Sequence, residues 1–237
     1  MHVPEITISG EKILEIPGLQ VTNTFFLTFL IEISIFLFFY LSFRNKKFIP
    51  QKIQNFSEWI LETIFNFIDS ITKDKSKTKE IFPIGATLFI LIFCCNIIEL
   101  SPGIGVFHFL RAPTSDLNLT LALSTFSMIF VNFLAAKKLG FFKYLKRFLN
   151  LKNPITLFIG ILEGISEITK VFSLAFRLFG NLFAGEVLLI IVSFLMAYIA
   201  PLPFLGIEIL VGFVQALIFS SLVVIFYATA VTHCHEG

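Results

Sequence analysis

Charge is scarce in this 237-residue chain: Asp, Glu, Lys and Arg make up 14% of it, against 56% hydrophobic residues. Soluble globular domains carry about 25% charged residues, so the composition, with a mean hydropathy of +0.89, excludes that class. Cysteine is nearly absent: Cys94, Cys95 and Cys234 offer neither an even disulfide framework nor zinc-ribbon spacing. The terminal His233-Cys234-His235-Glu236 reads as a tail rather than a metal site, and no metal or other cofactor is expected. There is no Gly-rich phosphate loop, nucleophile elbow or zinc-protease motif, so the chain itself should not bind or hydrolyse nucleotide. No internal repeat or low-complexity segment is visible, and no cleavable leader is expected, because Glu5, Glu11 and Glu15 precede the first apolar run. Proline is missing between Pro154 and Pro201.

What is present is a set of apolar runs near the roughly 20 residues needed to cross about 30 Å of hydrocarbon. They predict an all-α polytopic membrane protein, one membrane domain over 1–237 with five crossings and one surface helix. An external arm or short surface element over 1–20 precedes a first span, 22–43. From 51 to 72, Ile53, Phe56, Ile60, Ile64, Phe67 and Ile71 recur at steps of three and four with polar residues between them, an amphipathic helix lying on the membrane. Spans follow over 81–101 and 117–136. The proline-free stretch 154–200 would measure about 70 Å as one helix, so it must tilt, bend or break. Pro201 and Pro203 should make a turn into the last span, 204–231, an antiparallel partner to the one before.

Fourteen of the 18 basic residues fall in three blocks, Arg44 to Lys52, Lys73 to Lys79 and Lys137 to Lys152. One topology puts all three on the same side, and the positive-inside tendency makes that side cytoplasmic, with the N-terminus outside and the C-terminus inside. Nucleic acid is excluded as the partner of these blocks by the hydropathy around them.

Two cations remain within the apolar runs, Lys170 and Arg177. On a helix, Glu163, Ser166, Glu167, Lys170, Ser173 and Asn181 all fall within about 80° of Arg177, a polar stripe down one side of a membrane-length helix. An arginine at mid-bilayer costs about 2.5–3.5 kcal/mol on insertion scales, so it needs a partner or a water-filled cavity. A guanidinium stays protonated at any physiological pH. A carboxylate beside it has its pKa lowered by about 1–3 units, whereas the same acid facing lipid is held protonated. An acid moving past Arg177 would therefore shed its proton there. Their attraction, about 4 kcal/mol at 4 Å and an effective dielectric of 20, biases a moving partner without trapping it. Glu186 lies about 13 Å further along and on the opposite face. Glu208 and Gln215, seven residues apart, form one polar line on the last helix with Gly212 beside it. Gly160-Ile-Leu-Glu-Gly164, Gly180, Ala184 and Gly185 permit close approach of another helix. Glu32 in the first span and Glu99 at the edge of the second are further acids of the spans, with channel lining one reading of them. A static salt bridge at Arg177 and local pairing of Glu163 or Glu167 with Lys170 are the bland readings of the same residues.

Ser173-Leu-Ala-Phe-Arg177-Leu-Phe-Gly-Asn181, followed by Ala184-Gly185-Glu186, resembles the signature of subunit a of F-type ATP synthases. Pro113-Thr-Ser-Asp116-Leu-Asn118 resembles that family's outer-loop motif, Asn96 with Pro102 the end of its second crossing, and Gln215-Ala-Leu-Ile-Phe219 its last-helix motif. The resemblance implies a stator of the Fo proton channel in an energy-coupling membrane, most simply the bacterial plasma (inner) membrane. Its partners would be a ring of c subunits, peripheral-stalk b subunits, the rest of the complex and membrane lipid. It implies that Arg177 is the essential arginine, that Asn181, Glu186, Glu208 and Gln215 line an external half-channel, and that Glu163 and Ser166 line a cytoplasmic one; Glu167, which with Glu163 lies on the inner side of Arg177, is placed in the same half-channel by its position. Glu208 stands where some members carry histidine. A self-contained channel or secondary transporter, which the lack of repeats disfavours, is the alternative use of the stripe; a purely structural membrane subunit is a third, which the stripe itself disfavours.

Overall fold

The computed structural model describes residues 12–16, 19–44, 52–100, 113–140, 144, 154–195 and 201–232. Its elements are a short antiparallel hairpin, β1 (Lys12–Ile16) and β2 (Leu19–Thr22), followed by six helices: α1 (Asn23–Arg44), α2 (Lys52–Thr72), α3 (Lys75–Glu99), α4 (Leu117–Leu139), α5 (Pro154–Leu195) and α6 (Pro201–Thr232). All but α2 are long and apolar enough to cross a membrane. The protein is an all-α polytopic membrane protein, with the hairpin as a small addition in the segment read from sequence as an arm.

Local chemistry sets the helix ends. The left-handed Lys73 (φ 52°) closes α2, and Asp74 then caps α3 by accepting from the Ser76 backbone N–H at 2.9 Å. The helix therefore begins at Lys75, six residues before the apolar run at Ile81, because long basic side chains at a helix end keep their heads in water while the backbone stays helical. Asp116 caps α4 in the same way through Asn118 N–H, and its second oxygen accepts from Thr24 Oγ1 at 2.7 Å, which ties α4 to α1. Pro201 and Pro203 lie in the first turn of α6 rather than in a turn before it, where proline costs nothing because those N–H groups have no helical partner.

Within hydrocarbon there is little hydrophobic gain from burying one apolar side chain against another, so helix contacts depend on close approach and interhelical hydrogen bonds. The most extensive contact, α3 with α6, shows both. Ser220 Oγ donates to the Gly85 carbonyl at 2.8 Å, and Asn96 Nδ2 donates to the Gly212 carbonyl at 2.8 Å. Nearer the basic side chains, Glu80 accepts from Lys138 Nζ at 2.9 Å and from the Tyr227 hydroxyl, joining α3, α4 and α6. These pairs bring the start of α3, the end of α4 and the end of α6 together, here called the basic end.

The surface helix α2 packs Ile64 and Ile68 against α3 and α6, as its apolar stripe suggests. Its first half does the reverse. Ile53, Phe56 and Trp59 are exposed, whereas Gln54 and Ser57 are buried, Ser57 at 2.6 Å from Ser42 of α1. An interfacial helix can turn apolar side chains to lipid, and a buried hydroxyl pair costs little once each is bonded to the other.

Candidate functional site

Three contacts fix how α5 lies against α6. Lys170 Nζ sits 5.1 Å above the Phe226 ring, Asn181 Nδ2 donates to Gln215 Oε1 at 2.9 Å, and the Glu208 carboxyl lies over Gly185. Each pair advances on α5 as it retreats on α6, so the two helices form an antiparallel hairpin. α5 is a single helix of 42 residues, about 63 Å long. Leu174, Ala175, Leu178 and Leu182 are buried, while Ile155, Phe158, Ile161, Leu162, Ile165, Phe172 and Phe176 are exposed along the helix.

Arg177 lies on that exposed side. Its one hydrogen bond among the described residues is Nη2 to Ser173 Oγ, one turn back, at 3.4 Å. No described carboxylate pairs with it, so no static salt bridge forms at Arg177 among the described residues. Lys170, the other cation of the run, is neutralised by Glu167 Oε1 at 2.6 Å, leaving Arg177 as the unpaired positive charge of α5. Continuing the register of the hairpin, the level of Arg177 on α6 falls at Phe219, which is buried and apolar.

Away from the basic end, polar atoms accumulate between α3, α5 and α6. Glu208 is 7% exposed and Gln215 2%, and both share the buried face of α6 with Gly212, as their spacing predicted. Both Glu208 oxygens, Gln215 Nε2, Asn96 Oδ1, and one oxygen each of Glu99 and Glu186 are buried without a protein hydrogen-bond partner. Such atoms cost roughly 1–3 kcal/mol each unless water reaches them. Glu186 is partly buried and within electrostatic reach of Glu208. Gly185 is what allows this: a Cβ there would stand 2.7 Å from Glu208 Oε1. Sequence spacing marked Gly185 only as a small residue, and Asn96 only as part of a motif. Their roles, clearing room for Glu208 and clasping α6 at Gly212, depend on a neighbouring helix whose register no spacing within one segment reveals.

On the basic side of Arg177, Ser166, Thr169, Lys170, Ser173 and Phe226 line an open groove of about 400 Å³. Glu163 and Glu167 are partly buried on the same stretch, and Glu167 is the acid that pairs with Lys170. The eight residues singled out from sequence thus divide in space. Asn181, Glu186, Glu208 and Gln215 gather on one side of Arg177, and Glu163, Ser166 and Glu167 lie on the other.

Membrane-length helices carrying a guanidinium that is unpaired among the described residues, between two separate polar tracts, define a multi-pass membrane protein whose ionisable groups run along its spans. The ATP synthase A chain family matches residues 24–228. ATP synthase subunit a of Desulfosudis oleivorans is 36% identical over 193 residues, 81% of this chain and 80% of that one. The same subunit is 34% identical in Campylobacter jejuni over 197 residues (82% and 83%) and 34% in Syntrophobacter fumaroxidans over 193 (81% and 77%). The chain belongs to the ATP synthase subunit a family, and with it to the membrane part of an ATP synthase, where it serves ion transport and ATP synthesis.

Proposed function

We propose that the chain is the proton-conducting stator of its complex, presenting two offset half-channels to a rotating ring of c subunits, with Arg177 between them. The observation that carries this reading is Arg177 itself, exposed and unpaired on a membrane helix, backed by the buried Phe219. Asn181, Glu186, Glu208 and Gln215 serve the external half-channel, and Glu163, Ser166 and Glu167 the cytoplasmic one. The chain lies in a bacterial plasma membrane, N-terminus outside and C-terminus cytoplasmic, held beside the ring by peripheral-stalk b subunits. In support, Lys75, Lys77 and Lys79, at the start of α3, share one end of the bundle with Lys137 and Lys138 at the end of α4.

The mechanism follows from charge. A ring carboxylate drawn to Arg177 stays ionised there. A proton arriving through Glu208 and Glu186 neutralises it, removes the attraction and lets it leave for lipid, where the neutral form is the stable one. After nearly a full turn the acid meets the other tract, loses its proton toward Ser166 and Glu167, and returns to the arginine. Each charge carried across is worth about 2.3 kcal/mol per 100 mV. The apolar Phe219 layer keeps water from joining the two tracts directly.

Arg177→Ala should abolish proton-driven ATP synthesis by the reconstituted complex while leaving the complex assembled, because the exposed side chain contributes little to packing. Proton-driven synthesis by an assembled Arg177→Ala complex would refute the proposal.

A further inference from the structure

We propose that Glu99, near the end of α3, is the entrance carboxylate of the tract beyond Arg177, passing protons from the groove between α1, α3 and α4 to Glu186 and Glu208. The inference rests on the reading above and deepens it, since nothing in that reading gives Glu99 a role.

Register places it. Along α3 and α6, Glu80 meets Tyr227, Gly85 meets Ser220 and Asn96 meets Gly212, so one further helical turn of α3 brings Glu99 level with Glu208. Glu99 is accordingly within electrostatic reach of both Glu186 and Glu208. Glu208 is more than nine-tenths buried, has no protein partner on either oxygen, and is aimed across at α5 over Gly185. A buried acid with two unbonded oxygens is a proton or water acceptor without a supplier inside the protein.

Glu99 supplies the missing link because its two oxygens face different surroundings. Oε1 is buried and without a protein partner, whereas Oε2 accepts from the Thr114 hydroxyl at 2.8 Å. Thr114 also lines an open groove of about 570 Å³, together with Thr28, Glu32, Cys95 and Thr120. A hydroxyl donates to a carboxylate and accepts from a carboxylic acid, so Thr114 holds Glu99 in both protonation states. The transfer balances without a co-reactant. A hydronium in the groove gives a proton to Thr114 Oγ1 and leaves as water while the Thr114 hydroxyl proton moves to Glu99 Oε2; Glu99 then passes a proton to a carboxylate oxygen of Glu186 or Glu208 and becomes a carboxylate again. Among the described residues, the titratable groups facing Glu99 are Glu186 from α5, Glu208 from α6 and, around Cys95 of its own helix, Glu32 from α1. The start of the α4 segment contributes the neutral Thr114.

The test uses the whole reconstituted ATP synthase, with synthesis driven by a fixed membrane potential while the pH on the inlet side is varied. Glu99→Gln should slow synthesis at alkaline inlet pH, by less than the roughly hundredfold that loss of a sole proton-transfer group costs, because Glu186 and Glu208 remain. The deficit should shrink as that side is acidified, because abundant hydronium replaces the collecting acid, and Glu99→Asp should restore most of the rate. Thr114→Val, which leaves the acid in place, should give a smaller deficit of the same pH dependence, and it carries the test if Glu99→Gln does not assemble. A wild-type rate at every inlet pH, or a loss that acidification does not relieve, overturns the inference. Glu99→Gln at full rate beside an inactive Arg177→Ala overturns this inference alone, whereas an active Arg177→Ala overturns the reading beneath it.

Discussion

Gly185→Ala isolates the position of one carboxylate from its presence. The added Cβ would stand 2.7 Å from Glu208 Oε1, 3.3 Å from Cδ and 3.6 Å from Cγ, where ordinary contact begins near 3.4 Å, so the carboxyl must retreat by about 0.7 Å. What yields is the far end of a flexible side chain whose oxygens have no protein bond to lose. The helix itself gains, since alanine is the better helix former by about 1 kcal/mol. Assembly and detergent stability should therefore hold or improve. Function should not: misplacement of a reacting group by 1 Å can cost about a hundredfold, so 0.7 Å should slow synthesis roughly tenfold. The assay is ATP synthesis by the reconstituted complex, normalised to assembled enzyme, for Gly185→Ala, Glu208→Gln and the pair. If alanine acts through Glu208, the pair is no slower than the worse single change, because groups acting as one unit are not additive. Additive losses would mean that Gly185 matters for some other contact, and an unimpaired Gly185→Ala would refute the claim that the location of Glu208 matters.

Glu208→Gln should slow proton-driven synthesis more than Glu167→Gln, since both Glu208 oxygens are buried and unbonded among the described residues whereas Glu167 is held in its pair with Lys170; equal effects would refute the assignment of the two tracts. Gly85→Ala should act on stability alone. Its Cβ meets Ile68 Cδ1 at 2.9 Å and Val224 Cγ2 at 3.2 Å in a packed interface, an overpacking cost of about 1–3 kcal/mol, read as a lower midpoint of thermal aggregation with an unchanged rate per assembled complex.

Much of this architecture is legible along the chain because a bilayer allows so few solutions. Spans announce themselves by length, and the polar stripe of α5 by a period that survives folding intact. Where reading fell short, neighbours decide. The start of α3 at Lys75 turns on a capping hydrogen bond that Asp74 accepts from the Ser76 N–H rather than on hydropathy. The buried Ser57 follows from Ser42 on another helix, a partner that the periodicity of α2 does not contain. Glu99 reads only as a further acid of the spans and Asn96 only as part of a motif until α6 is laid beside them, at which point one levels with Glu208 and the other clasps Gly212. Arg177 and Gln215 needed no such help: a permanent charge and a regular spacing are visible in one dimension.

The unbroken course of α5 has a mechanical corollary. Along a helical screw, height and azimuth are not independent: the 19 steps from Glu167 to Glu186 amount to about 28 Å of climb and, after whole turns are removed, about 100° of rotation. A proline or a hinge between them would let those quantities drift apart, and none interrupts Pro154–Leu195 after its first residue. On the proposed function, the phase difference between loading and unloading is thus cut into the pitch of one rigid thread rather than left to loops.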